Sequence, residues 1–183
     1  MTSVARARRG ARGRRRLLLC GLFALAGCAT RPARAPADLA GRLALRVEGP
    51  GAARSFSADF DLQGDARAGT LRLSGPLGAM LAEARWQPDG AELTTPERME
   101  RFASLDAMAE ALLGEAVPLA ALIEWLRGRP WTGATATAGA GGFEQLGWTV
   151  DLSRHAEGWL TATRPARAAG PAVQVRVRLD GNA

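Results

Sequence analysis

The chain has 183 residues, of which 24 are basic and 18 acidic, for a net charge of +6. All of the basic residues are arginines and there is one histidine, His155. Without lysine, a P-loop and a pyridoxal Schiff base are excluded, and with one histidine so are multi-histidine metal sites.

The N-terminus reads as a targeting segment. Arg6, Arg8, Arg9, Arg12, Arg14, Arg15 and Arg16 come with no acid among them, and Leu17 to Ala26 is apolar. That run is about 10 residues long, too short to cross a ~30 Å bilayer core as a helix. A basic stretch, a short apolar stretch and small residues before a cut site make residues 1–27 a cleaved signal. Leu25-Ala26-Gly27-Cys28 resembles the bacterial lipobox, which implies that Cys28 is diacylated, that the chain is cut before it, and that the new amino group is acylated. Cutting there removes seven arginines and leaves 17 basic against 18 acidic residues, a net of −1. A nucleic-acid partner, which would want a basic patch, is not expected. Cys20 is expected to leave with the signal and Cys28 to carry lipid, so no cysteine is expected to remain for a disulfide and the domain must stand on burial. The remaining length suits one domain with a core of its own.

Residues 28–38, with Pro32 and Pro36 among alanine and arginine, read as a lipidated tether, and residues 39–183 as the domain. Period-two patterns open it. Leu43, Leu45 and Val47 alternate with Arg42, Ala44 and Arg46; Phe56, Ala58, Phe60 and Leu62 alternate with Ser55, Ser57, Asp59 and Asp61. Leu71 and Leu73 follow, then Met80, Ala82, Ala84 and Trp86. Turn residues bound each run: Gly49-Pro50-Gly51, Gly64-Asp65, Gly75-Pro76 and Pro88-Asp89-Gly90. This predicts an antiparallel meander with one apolar face.

The period then changes. Leu105, Met108, Ala109, Leu112 and Leu113 follow helical spacing, with Ser104 as N-cap and Gly114 as stop. A second helix is predicted over 118–127, with Pro118 in its first turn. Its stripe is Leu119, Leu122, Ile123 and Leu126, Trp125 lies beside the stripe, and Gly128 and Pro130 end it. The small residues of 132–142 are expected to form a flexible loop. Strand patterns return at Trp148, Val150 and Leu152, at Trp159, Thr161 and Thr163, and at Val173, Val175, Val177 and Leu179. The fold class is therefore mainly β (α+β): one curved antiparallel sheet with helices across its concave side.

Four constellations carry the chemistry to be weighed. Asp151, Ser153 and His155 alternate along one strand, but no G-x-S-x-G elbow accompanies them, and a histidine at a strand end is expected to be an exposed turn residue. Gly139-Ala140-Gly141-Gly142 lacks G-x-G-x-x-G spacing and opens no helix, so it is read as a linker. Trp86, Trp125, Trp131, Trp148 and Trp159 suit ordinary core packing or an aromatic lining for an acyl ligand. Leu77, between Pro76 and Gly78 in a turn, either folds back into the core or points at water. No catalytic residue, metal or cofactor is expected.

Taken in order, several segments resemble the LolB family of outer-membrane lipoproteins. They are Gly41-Arg42-Leu43-Ala44-Leu45, Phe56-Ser57-Ala58-Asp59-Phe60, Leu73-Ser74-Gly75-Pro76-Leu77-Gly78, Pro118-Leu119 with Leu122 to Gly128, Phe143 to Asp151, and Val175-Arg176-Val177-Arg178-Leu179. The resemblance implies an incomplete, strongly curved β-barrel with helices covering an apolar cavity, and Phe60, Leu73, Trp86, Leu122, Trp125 and Trp148 are the candidates for its wall. It implies a monomeric receptor that accepts acylated lipoproteins from the periplasmic carrier LolA and inserts them into the inner leaflet of the outer membrane. It also implies that Leu77 tips a membrane-inserting loop, and that Ala29 after Cys28 sends the protein to the outer membrane rather than keeping it at the inner one. The alternative is a lipid-anchored structural or assembly lipoprotein that binds a protein partner and has no acyl cavity. A pocket favours the receptor, and a filled core with an apolar outer patch favours the alternative.

Overall fold

The computed structural model describes residues 38–49, 53–113, 117–168 and 170–181, without the side chains of 112 and 113. The signal segment, Cys28, nearly all of the tether and the Gly114 helix stop lie outside the described residues.

Eleven strands form one antiparallel sheet: β1 (Leu39–Glu48), β2 (Arg54–Gly64), β3 (Gly69–Ser74), β4 (Met80–Gln87), β5 (Gly90–Thr94), β6 (Met99–Phe102), β7 (Ala136–Gly139), β8 (Gly142–Gln145), β9 (Trp148–Asp151), β10 (Trp159–Arg164) and β11 (Ala172–Leu179). Their spatial order is β6-β5-β4-β3-β2-β1-β11-β10-β9-β8-β7. The sheet does not close, and β6 and β7 are its edges. Sequence connects those edges through α1 (Leu105–Leu113) and α2 (Leu119–Leu126). Both helices contribute to the same core as the apolar face of the sheet.

The alternation read from sequence sets that face. Leu45 pairs with Phe56 and with Val175, and Phe60 pairs with Leu73, which pairs with Ala82. The opposite face carries ion pairs such as Arg42–Asp59 at 3.6 Å. Turn chemistry fixes the registers. Asp65 accepts from the backbone N–H of Arg67 (2.7 Å) and Ala68 (3.1 Å) between β2 and β3. Those two bonds hold its carboxyl below the ordinary carboxylate range.

The helix boundaries follow their caps. Ser104 Oγ accepts the Ala107 N–H at 3.1 Å, which satisfies one free donor of the first turn of α1. Pro118 precedes α2 as its N-cap residue, and Gly128 at φ 74° takes the left-handed turn after its end. Glu124 is buried yet paired, to Arg129 at 2.6 Å and to Arg127 at 3.5 Å. Arg127 also donates to the Gly64 carbonyl at 2.5 Å, tying the helix end to the β2–β3 turn.

Two readings need correction. The 132–142 segment is not a loop throughout: Ala136–Gly139 is β7, paired with β8, and Gly139 to Gly142 is the hairpin between them rather than a linker. Only Ala136 of β7 packs on the core while Thr137 to Gly139 are exposed, so the strand has no alternating apolar face to signal it and rests mainly on backbone pairing. The histidine is likewise no free turn residue. His155 is half-buried in a 3₁₀ turn, and its Nε2 donates to the Leu126 carbonyl at the end of α2, 3.0 Å away.

β1 starts at the end of the sheet that holds the β2–β3 turn, as Leu39 pairs with Leu62. The β3–β4 turn, with Leu77, is at the other end.

Candidate functional site

The core is not filled evenly. Beneath the helices, the part of the sheet from β11 (Val175 and Val177) through β1 to β5 encloses a cavity of about 130 Å³. Leu43 and Leu45, Phe56, Phe60 and Leu62, Leu71 and Leu73, Ala82, Ala84 and Trp86, and Leu93 give its sheet wall. Leu105, Met108 and Ala109 of α1 and Leu119, Leu122, Ile123 and Leu126 of α2 give its roof. Every lining side chain is apolar but for the Trp86 indole N–H, and that donates to the Asp65 carbonyl at 2.9 Å, leaving the ring face for the wall. Phe56 is 40% exposed, so the wall reaches solvent there.

The other half is occupied by an aromatic cluster. Trp125 points from α2 toward β8 and β9, with its ring 6.4 Å from Phe143 and 6.0 Å from Trp148. Gln145, buried among them, explains why. Its Oε1 accepts the Trp125 indole N–H (2.8 Å) and the Trp131 backbone N–H (2.9 Å), and its Nε2 donates to the carbonyls of Trp131 and Ala134, both at 2.7 Å. A buried amide left unpaired would cost about 1–3 kcal/mol; here every group is used, and the network pins the chain after α2. Sequence reading missed Gln145, since one glutamine among strand residues gives no signal until its partners are known.

The six wall candidates therefore divide. Phe60, Leu73, Trp86 and Leu122 surround the cavity, while Trp125 and Trp148 do not line it and pack in the aromatic cluster instead. The tryptophan beside the helical stripe lies off the cavity because its N–H needs an acceptor, and Gln145 supplies one on the filled side.

Leu77 is fully exposed in a 3₁₀ turn at Pro76–Gly78, with a left-handed φ of 64°. It points at water and does not fold back. Asp151, Ser153 and His155 form no relay. Asp151 accepts from the Ser153 N–H at 2.9 Å, and bonds from the Ser153 hydroxyl and backbone hold its carboxyl below the ordinary range. His155 is spent on Leu126. On the outer face Glu83 sits between Arg72 and Arg85, a closed ion triad.

An open antiparallel half-barrel that holds a helical hairpin over an apolar cavity defines a class of proteins with a greasy interior and a polar shell. Comparison with known proteins narrows it. The family described as outer membrane lipoprotein LolB matches residues 37–181. The outer-membrane lipoprotein LolB of Bordetella petrii is 37% identical over 153 residues, covering 75% of this chain and 75% of that protein. That of Chromobacterium violaceum is 30% identical over 156 residues (79% and 84%), and that of Halorhodospira halophila 32% over 157 (79% and 73%). The chain belongs to the LolB family of outer-membrane lipoproteins.

Proposed function

We propose that this protein is an outer-membrane receptor that takes acylated lipoproteins from the periplasmic carrier LolA and inserts them into the inner leaflet of the outer membrane. The cavity supports this reading most directly. A space of about 130 Å³ with a wholly apolar surface suits hydrocarbon and offers nothing to a polar substrate. It also favours the receptor over a structural lipoprotein with a filled core. At roughly 10–15 Å³ per water-sized site, it has room for on the order of ten methylene groups. Each is worth about 0.8 kcal/mol, so a chain seated there gains roughly 8 kcal/mol. That corresponds to micromolar affinity, tight enough to receive a chain and loose enough to release it.

In this reading Phe60, Leu73, Trp86 and Leu122 touch the acyl chain. The lipid on Cys28 holds the receptor at the outer membrane, and Leu77 dips into the bilayer at delivery. Hand-over needs no nucleotide, because the energy is the order of affinities from carrier to receptor to membrane.

The test is transfer of a radiolabelled lipoprotein from purified LolA to this protein. The wild-type chain and a Cys28→Ala chain with its signal replaced should both take up the cargo and copurify with it. Failure of both to acquire it would overturn the receptor reading. Failure of Cys28→Ala alone would show that tether and cavity do not act separately.

A further inference from the structure

Among the described residues, two that are not glycine have a left-handed backbone, and both are leucines: Leu77, at φ 64°, and Leu146, at φ 53°. A bulky side chain is a poor occupant of that region, and such strain collects at working sites. Leu146 and Gly147 (φ 75°) form the two-residue connection between β8 and β9. A turn left-handed at both central positions is best made by Asn-Gly. Leucine in the asparagine position keeps 43% of its surface exposed and stands outside the core.

Both turns are at the same end of the sheet. From Ser74 the pairings run across the strands through Asp59, Arg42, Arg178 and Trp159. Toward the β3–β4 turn, β2 leads to Phe56, β1 to Val47, β10 to Arg164 and β9 back to Trp148. Leu146 lies just beyond Trp148. The six large apolar residues exposed among the described residues are Phe56, Leu77, Met80, Leu81, Met99 and Leu146. All of them lie in or within a few residues of the turns at this end. The two leucine tips stand six strand spacings apart, about 29 Å along the curve at ~4.8 Å per strand. Phe56, where the cavity wall meets solvent, is between them.

We propose that Leu146 is a second lipid-contacting tip, so that the domain docks on a bilayer by this whole end, with the open side of the cavity facing the lipid. The inference rests on the reading of Leu77 as a membrane-inserting residue. Single side chains on separate turns do not make the continuous groove a protein partner would fill, but each can enter a bilayer interface alone. The adjoining charge agrees: Arg167 donates to the Gly147 carbonyl at 2.9 Å, which places a cation beside the tip, at the level of lipid phosphates.

The test uses the full lipidated chain in vesicles of phosphatidylethanolamine and phosphatidylglycerol, with single cysteines at Leu77, Leu146 or Asp89 carrying an environment-sensitive fluorophore. Asp89 is in the β4–β5 turn at the far end. Labels at 77 and 146 should shift to the blue and be quenched by lipid-borne quencher, and the label at 89 should do neither. A watery label at 146 beside a lipid-quenched one at 77 overturns this inference and leaves the Leu77 reading standing. Watery labels at both sites overturn the two together. Leu146→Asn gives the second measure. It should unfold at the same or a higher temperature, since asparagine suits the turn, yet deliver cargo to vesicles roughly tenfold more slowly, given the apolar area withdrawn from lipid. Unimpaired delivery by this variant overturns the inference.

Discussion

Filling the cavity should change stability and cargo uptake in opposite directions. Ala84 is buried in the wall, between Leu71 of β3 and Leu93 of β5. An empty space of 130 Å³ withholds roughly 3 kcal/mol of stability at about 24 cal/mol per Å³. Ala84→Leu adds three carbons, each worth about 0.8 kcal/mol when buried. After about 0.5–1 kcal/mol for freezing the leucine rotamer, the variant should gain about 1–2 kcal/mol. For a domain of this size that is a rise of about 2–8 °C in melting temperature. The same three carbons displace three methylenes of an acyl chain, so affinity for a fluorescent fatty acid should fall by roughly 50-fold. Thermal unfolding and fluorescence titration of one preparation check both figures. A loss of about 1–3 kcal/mol, the mark of overpacking, would refute the vacancy at this site. A gain in stability with unchanged uptake would show that acyl chains bind elsewhere.

Three further substitutions separate wall, core and tip. Leu122→Glu places a carboxylate in the roof with no cation among the lining residues; acyl uptake should be lost while the circular dichroism of the sheet persists, because burial of an unpaired charge is costly but Leu122 is only half-buried. Trp125→Phe removes the indole donor from Gln145 and should cost about 1–3 kcal/mol in denaturant unfolding, yet leave fatty-acid affinity unchanged, since Trp125 is off the wall. Leu77→Glu should stay within about 0.5 kcal/mol of wild-type stability and accept cargo normally, but fail to deliver it to vesicles, whereas Leu77→Phe should deliver. Unfolding by several kcal/mol in Leu77→Glu would make Leu77 a packing residue after all.

Legibility in the sequence followed burial. Strands with a strict inner face, such as Phe56 to Leu62 and Val173 to Leu179, announced themselves because every second residue meets the core. The helices did the same through their stripes and through Ser104. β7 left no trace, since beyond Ala136 its residues are exposed and held mainly by backbone bonds. The cavity itself was legible only in part. Alternation told which residues face inward, and Phe60, Leu73, Trp86 and Leu122 do line a space. It could not tell a hollow from a packed interior, because Phe60 on one side and Val150 on the other look alike in sequence. The division depends on Trp125, Trp148 and Phe143 being bulky enough to fill their half, and on Gln145 drawing the Trp125 ring toward it. Leu77 was ambiguous for a related reason: its exposure is a matter of backbone φ, which a proline–leucine–glycine turn permits but does not dictate.

The polarity of β1 turns the tether into a measure of reach. Its first residue, Leu39, is at the end of the sheet opposite Leu77. β1 has 10 residues and spans about 33 Å at ~3.3 Å per residue. With lipid on Cys28, residues 28–38 can extend at most about 40 Å. In the proposed reading, a lipid on Cys28 and the Leu77 tip meet one leaflet only if residues 28–38 can reach the height of β1, and their extension limit just exceeds it. On that reading the number of residues between Cys28 and Leu39 sets the reach of the receptor, and it matches the height of the domain with little slack.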